Sequence, residues 1–274
     1  MKPKAKRLAA EHLTEKFEVS ERHVADVLAV PRSTLRYVAH PRDDSKLEER
    51  MKSLATSHRR FGLPRLHYLL HREGAVRSDS RTKRIYRKLG LQVQKRRRKK
   101  MVQVTRTRFV QAVAPQEIWS FDFVHDRSES GRHLKCLTIV DDCSKKSPGL
   151  HVNYSISSSD VTDFFDSLSG LPKKLRCDNG PEMTSRHFLG WAHKRGIEIE
   201  YIQPGKPIQN AFVESFNSRF RDECLNEELF LDLEDAKKKI EKWRMYYNER
   251  RPHTSLAFKT PKQFEDEFES KKRR

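Results

Sequence analysis

From Glu117 onward the hydrophobic pattern switches from a period of two to a helical period and back, and this order restricts the possible folds most strongly. In EIWSFDFVHD, Trp119, Phe121 and Phe123 alternate with Ser120, Asp122 and Val124, as strand residues do. LKCLTIVDDCS, residues 134–144, is a second β run ending in a turn, and PGLHVNYSI, residues 148–156, is a third. Their spacing is that of an antiparallel meander. Residues 157–169 then turn helical, with Val161, Phe164, Phe165 and Leu168 on one face. KKLRC is a short strand, SRHFLGWAHKRG a helix and IEIEYIQ a fifth strand, after which a long helix opens near Gln209.

Three antiparallel strands, a helix, a strand, a helix and a strand is the order of an RNase H-like α/β fold. We therefore expect a five-stranded mixed sheet with its first and fourth strands adjacent at the centre. That adjacency brings Asp122 to Asp178, although 55 residues lie between them. Asp178 opens Asp178-Asn179-Gly180-Pro181, a strong turn signal, so its carboxylate can serve the turn or a metal. Glu214 follows after 35 intervening residues, one turn into the helix beyond the fifth strand. Among the other acids, Asp141 and Asp142 are expected to shape a turn, Glu182 to start a helix and Asp126 to be solvated.

Charge divides the chain. Residues 1–115 hold 30 Lys and Arg against 11 Asp and Glu, while residues 116–274 hold 27 of each, so the whole net charge of +19 lies in the first part. Such asymmetry points to a nucleic-acid-binding half joined to a half with another task. No apolar run reaches the roughly 18 residues of a bilayer span, and MKPKAKRLAAEHL lacks the apolar core of a secretory signal. Cys136, Cys143, Cys177 and Cys224 are scattered, without C-x-x-C spacing, and read as free thiols of a reducing cytoplasm rather than a zinc site.

Two helical units precede residue 94. In the first, Ser20 caps a helix, and Pro31 opens a second that presents Arg32, Ser33 and Arg36, in the manner of a helix-turn-helix. In the second, a charged helix over 45–57 leads to a helix with Leu66, Leu69 and Leu70 inward and Gly74 at its C-cap. Ser80 is expected to cap the next helix, with Ile85, Tyr86 and Leu89 inward and Arg84 and Arg87 outward. The run Lys95, Arg96, Arg97, Arg98, Lys99, Lys100 repels itself and reads as an arm that tracks phosphates.

WSFDFV, DNGPEMTS and PGKPIQNAFVESFNSRFRDECLN resemble the three catalytic blocks of the integrase/transposase Asp-Asp-Glu superfamily. They are most similar to bacterial insertion-sequence transposases encoded by the second of two overlapping reading frames (OrfB-type), whose core is like that of retroviral integrases. PRSTLRY, RRFGLPRLHYLLHREG, RIYRKLGL and YYNERRPHTSLAFKTPKQF extend the likeness from about residue 20 to about 265. Met183 departs from it, standing where the group usually carries an aromatic residue. The resemblance implies a DNA transposase that cleaves element ends and transfers the 3′-hydroxyl strand into target DNA. It implies that Asp122, Asp178 and Glu214 hold two Mg²⁺ or Mn²⁺ ions, with Asp122 bridging them.

Around Glu214, Asn210, Asn217 and Arg221 recur at helical spacing and are expected to grip the DNA backbone, with Lys206 of the preceding loop on a phosphate. Trp243, Tyr246 and Tyr247 are expected in the core; Arg250, Arg251 and His253 either meet DNA or brace the C-terminal segment. The expected organisation is a helix-turn-helix segment over 1–42, a second helical DNA-binding unit over 43–93, a basic arm over 94–114, the catalytic core over 115–231, and a C-terminal helix with basic tail over 232–274. Expected partners are double-stranded DNA and at least one further copy of the chain; the expected location is a bacterial cytoplasm, at the nucleoid, with no membrane. Two rival functions stay open at this point: an inactive DNA-binding relative or regulator, and a ribonuclease of the same fold.

Overall fold

The computed structural model describes residues 3–38, 43–93, 112–202 and 210–272. It divides into two compact units, Met1–Glu48 and Glu49–Arg274.

The first unit holds α1 (Pro3–Phe17), α2 (Glu21–Val27) and α3 (Arg32–Leu35). Ser20 caps α2 as expected, its Oγ accepting from the His23 N–H at 3.4 Å. The helix after Pro31 is a single turn, shorter than the pattern suggested, because no apolar residue of α3 is buried to hold a second turn. The α1 helix was not anticipated; among its residues only Ala10 is buried, so it carries little periodic signal.

The α4 helix (Ser45–Ser57), whose first residues belong to the first unit and the rest to the second, has the expected bounds, and α5 (Leu63–Arg72) and α6 (Asp79–Lys88) follow in the second unit. Gly74 takes a φ of 72°, and the Ala75 N–H closes the end of α5 on the Leu70 carbonyl at 2.9 Å. Ser78, not Ser80, caps α6: its Oγ accepts from the Arg81 N–H. Asp79 then falls in the first turn, where a negative side chain is favoured.

Strands β1 (Ile118–Arg127), β2 (His133–Asp141), β3 (Leu150–Asn153), β4 (Lys174–Cys177) and β5 (Glu198–Tyr201) form one sheet in the order β3-β2-β1-β4-β5. β1 pairs antiparallel with β2 and parallel with β4, so the first and fourth strands are neighbours. Helices α7 (Ser158–Asp166) and α8 (Arg186–Arg195) lie between the later strands in sequence. They cover one face of the sheet, where Trp119, Phe121, Leu137, Ile139, Phe165 and Phe188 share a core. Phe121 is fully buried there and meets Phe165 edge-on at 5.3 Å; burial of such a ring is worth about 1.5–3 kcal/mol.

The opposite face packs on α9 (Ala211–Phe220) and α10 (Leu233–Glu249) through Val124, Cys136, Val213, Phe216, Phe220 and Trp243. Between those helices, Arg221–Leu225 winds as a π-helical turn. A further helix, α11 (Pro261–Lys272), lies beyond α10 and carries Lys271 and Lys272 in its last turn. Trp243 and Tyr247 are core residues as expected, while Tyr246 is part-buried with its hydroxyl 3.0 Å from His58 Nδ1. Cys136, Cys177 and Cys224 are buried, and all four cysteines are unpaired. Among the described residues no helix is long and apolar enough to cross a membrane.

Candidate active site

Strand alternation decides which side chains share a face. On β1, Trp119, Phe121 and Phe123 face α7 and α8, leaving Ser120, Asp122 and Val124 on the side of α9. The parallel register pairs Ser120 with Arg176. Continued by two residues, it sets Asp122 level with Asp178, just past the end of β4. The α9 helix brings Glu214 in its first turn to that same face.

Asp122 is half-buried and held from two sides. Its Oδ1 accepts from the Phe123 N–H at 2.8 Å, and its Oδ2 accepts from Asn217 Nδ2 at 2.9 Å. The Thr138 hydroxyl, on the neighbouring β2, lies 2.7 Å from Asn217 Oδ1 and 3.0 Å from the Asp122 carbonyl, which fixes the amide's orientation. Burial pushes the Asp122 carboxyl up to about 6, and the charges of Asp178 and Glu214 add to the rise. Partial burial also raises Glu214. Asp178 is exposed and accepts from the Gly180 N–H at 3.1 Å, so it does serve the turn. Among the described residues none of the three acids forms an ion pair. Nor, among those residues, are three His, Cys, Asp or Glu side chains gathered closely enough to hold a metal ion, so the three acids form an open set.

Beneath this set lies a buried polar network with no signal in the spacing. Arg176 is 1% exposed and bonds Asp142 Oδ2 at 2.5 Å and Glu200 Oε2 at 3.1 Å. Ser120 donates to Asp142 Oδ1 at 2.6 Å. Asp141 accepts from the N–H groups of Gln116, Cys143 and Ser144, from the Ser144 hydroxyl and from the Trp119 indole. Asp141 thus builds the turn as expected, whereas Asp142 neutralises a core arginine. Glu182 does not start a helix: Ser185 caps α8, and Glu182 pairs with Lys135 at 2.5 Å.

The residues expected at DNA are spread over the chain. Arg32 and Ser33 are exposed on α3, and Arg36 pairs with Glu21 at 2.9 Å. Arg84 and Arg87 are exposed on α6. Lys95, Arg96, Arg97, Arg98 and Lys206 lie outside the described residues. Asn210 is buried just before α9, with an Oδ1 that has no partner. Asn217 uses both ends of its amide on Asp122 and Thr138, and Arg221 donates to the His125 carbonyl at 3.2 Å.

Of the undecided group, Arg250 is exposed, while Arg251 and His253 brace the interior. Arg251 grips Glu223 through two bonds of 2.6 Å. Sequence reasoning missed Thr138, Glu223 and the Asp142–Arg176 pair. A threonine in an apolar strand and an arginine inside the short run KKLRC were the available signs, but neither names its partner.

A central strand carrying a half-buried aspartate, flanked in parallel by a strand ending at a second, with a glutamate on the covering helix, is an integrase core of RNase H-like fold. The sequence agrees: Integrase core domain families match residues 112–207 and 195–261, and an HTH-like domain family matches 41–100. The 31.7 kDa protein of insertion element IS407 from Burkholderia multivorans is 43% identical over 256 residues, 92% of each chain. The 39.2 kDa protein of insertion element IS476 from Xanthomonas euvesicatoria is 40% identical over 266 residues, 96% of this chain and 77% of its own. The magnesium complex of the HTLV-2 integrase catalytic core domain superposes with a TM-score of 0.46 at 20% identity, covering 56% of this chain and 98% of its own. The chain belongs to the insertion-sequence transposases of the OrfB-type group.

Proposed function

We propose that this protein cleaves phosphodiester bonds at the ends of an insertion element and joins the freed 3′-hydroxyl strand to target DNA, with Asp122, Asp178 and Glu214 as its catalytic acids. The observation that carries this reading is electrostatic: Asp122 is driven up to about 6 by burial and by the other two acids, and none of the three has a cationic partner among the described residues. Such a set is stabilised by a divalent cation. Carboxylate oxygens suit Mg²⁺ or Mn²⁺, and once the ions draw this open set together, Asp122, Asp178 and Glu214 would hold two of them. When bound, a metal pair supplies an activated oxygen nucleophile, charge neutralisation at phosphorus and support for the leaving oxygen.

The chain's own residues do the positioning. Asn217 and the Phe123 N–H set the rotamer of Asp122. The Gly180 N–H tethers one oxygen of Asp178, and Glu214 stays exposed on α9. The strongly basic first 115 residues bring duplex DNA to these acids, with Arg32, Ser33, Arg84, Arg87, the 95–98 run, Lys206 and Arg221 as backbone contacts. Joining two element ends calls for at least two copies of the chain, working at the bacterial nucleoid.

The test is a nicking and strand-transfer assay on duplexes carrying element ends, with Mg²⁺ and without. Asp178→Asn and Glu214→Gln are expected to shift DNA in gels yet yield no product. Strand transfer by either purified variant would refute the assignment, and a wild-type protein that shifts DNA without cutting it would mark a regulator instead.

A further inference from the structure

Strand β4 stops at Cys177, so Asp178 stands in the turn that follows, and that turn has to be fixed against the sheet. On one side β5 and the residue after it do so. The Tyr201 hydroxyl donates to the Met183 carbonyl at 2.7 Å, and Asn179 Nδ2 donates to the Ile202 carbonyl at 3.2 Å. Met183 is buried in the core that Phe121 and Phe188 share. On the other side the tie comes from β2, which lies beyond β1. Lys135 Nζ donates to Glu182 Oε1 at 2.5 Å and to the Ile156 carbonyl at 3.3 Å, and it stands 3.9 Å from the centre of the Phe123 ring. An ammonium has three donors, and these are three acceptors for them.

Both ends of this tie touch the supports of the acids. Phe123 follows Asp122, and its N–H donates to Asp122 Oδ1. Lys135 lies opposite His125 in the β1–β2 register, so Phe123 is its diagonal neighbour, on the face away from Asp122. At the other end, a Cβ built on Gly180 would lie 3.1 Å from Asp178 Oδ1 and 3.5 Å from Glu182 Oε2, so the two carboxylates flank one backbone position. The N–H of that same glycine donates to Asp178. The Lys135 and Glu182 side chains are only 16% and 22% exposed. A pair so far out of water gains little over well-packed apolar side chains, so stability is a weak reason for it, and fixing one arrangement is a better one.

We propose that Lys135 and Glu182 are positioning residues for Asp178: their ion pair binds the 178–184 turn to the strand pair that carries Asp122, and so sets the spacing of the two aspartates before any cation arrives. The tie stands on the distances above. Its purpose, to hold a metal ligand in place, rests on the function proposed above.

The test uses the whole protein with Lys135→Met/Glu182→Leu, which removes both charges at once and leaves neither an unpaired ion nor a changed net charge. In EDTA without DNA, the Met183 and Thr184 amides, which both donate to the Gly180 carbonyl, should exchange hydrogen about tenfold faster or more in this variant. Amides of the β1–β2 ladder should keep their rates. Mn²⁺ binding is then read by electron paramagnetic resonance, counting only the binding that Asp178→Asn removes. It should weaken about 10–100-fold, as when a ligand-orienting partner is lost. The single variant Lys135→Met separates position from charge: loss of a nearby cation alone tightens Mn²⁺, whereas loss of the tie weakens it. Exchange at wild-type rates in the double variant overturns the proposal. So does wild-type Mn²⁺ affinity in the double variant, or tighter binding in Lys135→Met. The charge-balanced double variant keeps the question decidable if Lys135→Met alone does not fold. Absence of Asp178-dependent Mn²⁺ binding in wild type would refute the metal reading of the acids, while the exchange rates still decide the tie.

Discussion

Glu223→Gln is expected to be among the most damaging single changes in the second unit. Arg251 is 1% exposed, and the two 2.6 Å bonds from Glu223 are its only carboxylate contacts among the described residues. Removing one member of such a pair leaves its partner charged in a medium that solvates it poorly, at a cost of roughly 3–5 kcal/mol. Here the damage spreads, because Glu223 also offsets part of the repulsion felt by Arg65 and Arg219. The expected loss therefore lies toward the upper end of that range. Urea unfolding at neutral pH reads it as a lower midpoint at unchanged slope. Arg251→Met alone should lose about 3 kcal/mol or more, whereas Glu223→Leu/Arg251→Met should recover most of either loss, since it leaves no unpaired charge at that pair. A loss below about 1 kcal/mol for Glu223→Gln, or a double variant as unstable as the singles added together, would refute the reasoning.

His253 is neutral in the fold and protonates near 6.5 when unfolded, so the stability it contributes is complete above about 6.5 and drains away as pH falls. Between pH 7.5 and 5.5 it should account for about 1.4 kcal/mol of lost stability, a loss absent from His253→Gln in matched urea titrations. Asn217→Ala releases Asp122 Oδ2 and should slow end cleavage about 10–100-fold, as loss of a ligand-orienting partner does, with the salt slope of DNA binding unchanged. Gly149→Ala would set a Cβ 2.6 Å from Leu168 Cδ2 and 2.7 Å from Phe164 Cζ. It should destabilise by about 1–3 kcal/mol, visible in thermal unfolding.

The sheet was legible because its segments are strongly periodic and bounded by turns. Trp119, Phe121 and Phe123 announce β1, and Asp178-Asn179-Gly180-Pro181 ends β4. Where apolar residues were sparse, the pattern misled. The helix after Pro31 proved to be one turn, α1 went unseen, and the cap of α6 moved to Ser78 because two serines flank Asp79. Residue type did not separate Asp141, which builds a turn, from Asp142, which neutralises Arg176. Asn217 likewise looked like a surface DNA contact until Thr138 and Asp122 were found at its two ends.

The sequence by itself determined the order of the five strands and of the helices between them, the charge division and the three acids in their places along the chain, since periodicity, turn chemistry and composition are local properties. Tertiary structure alone decided what those acids meet: a parallel register that levels Asp122 with Asp178, and a π-helical turn carrying Glu223 to Arg251. It also decided that Arg65 and Arg251, 186 positions apart in the chain, would meet the same Phe61 ring. Ion pairing and burial depend on distances through space, and those exist only once the chain has closed on itself.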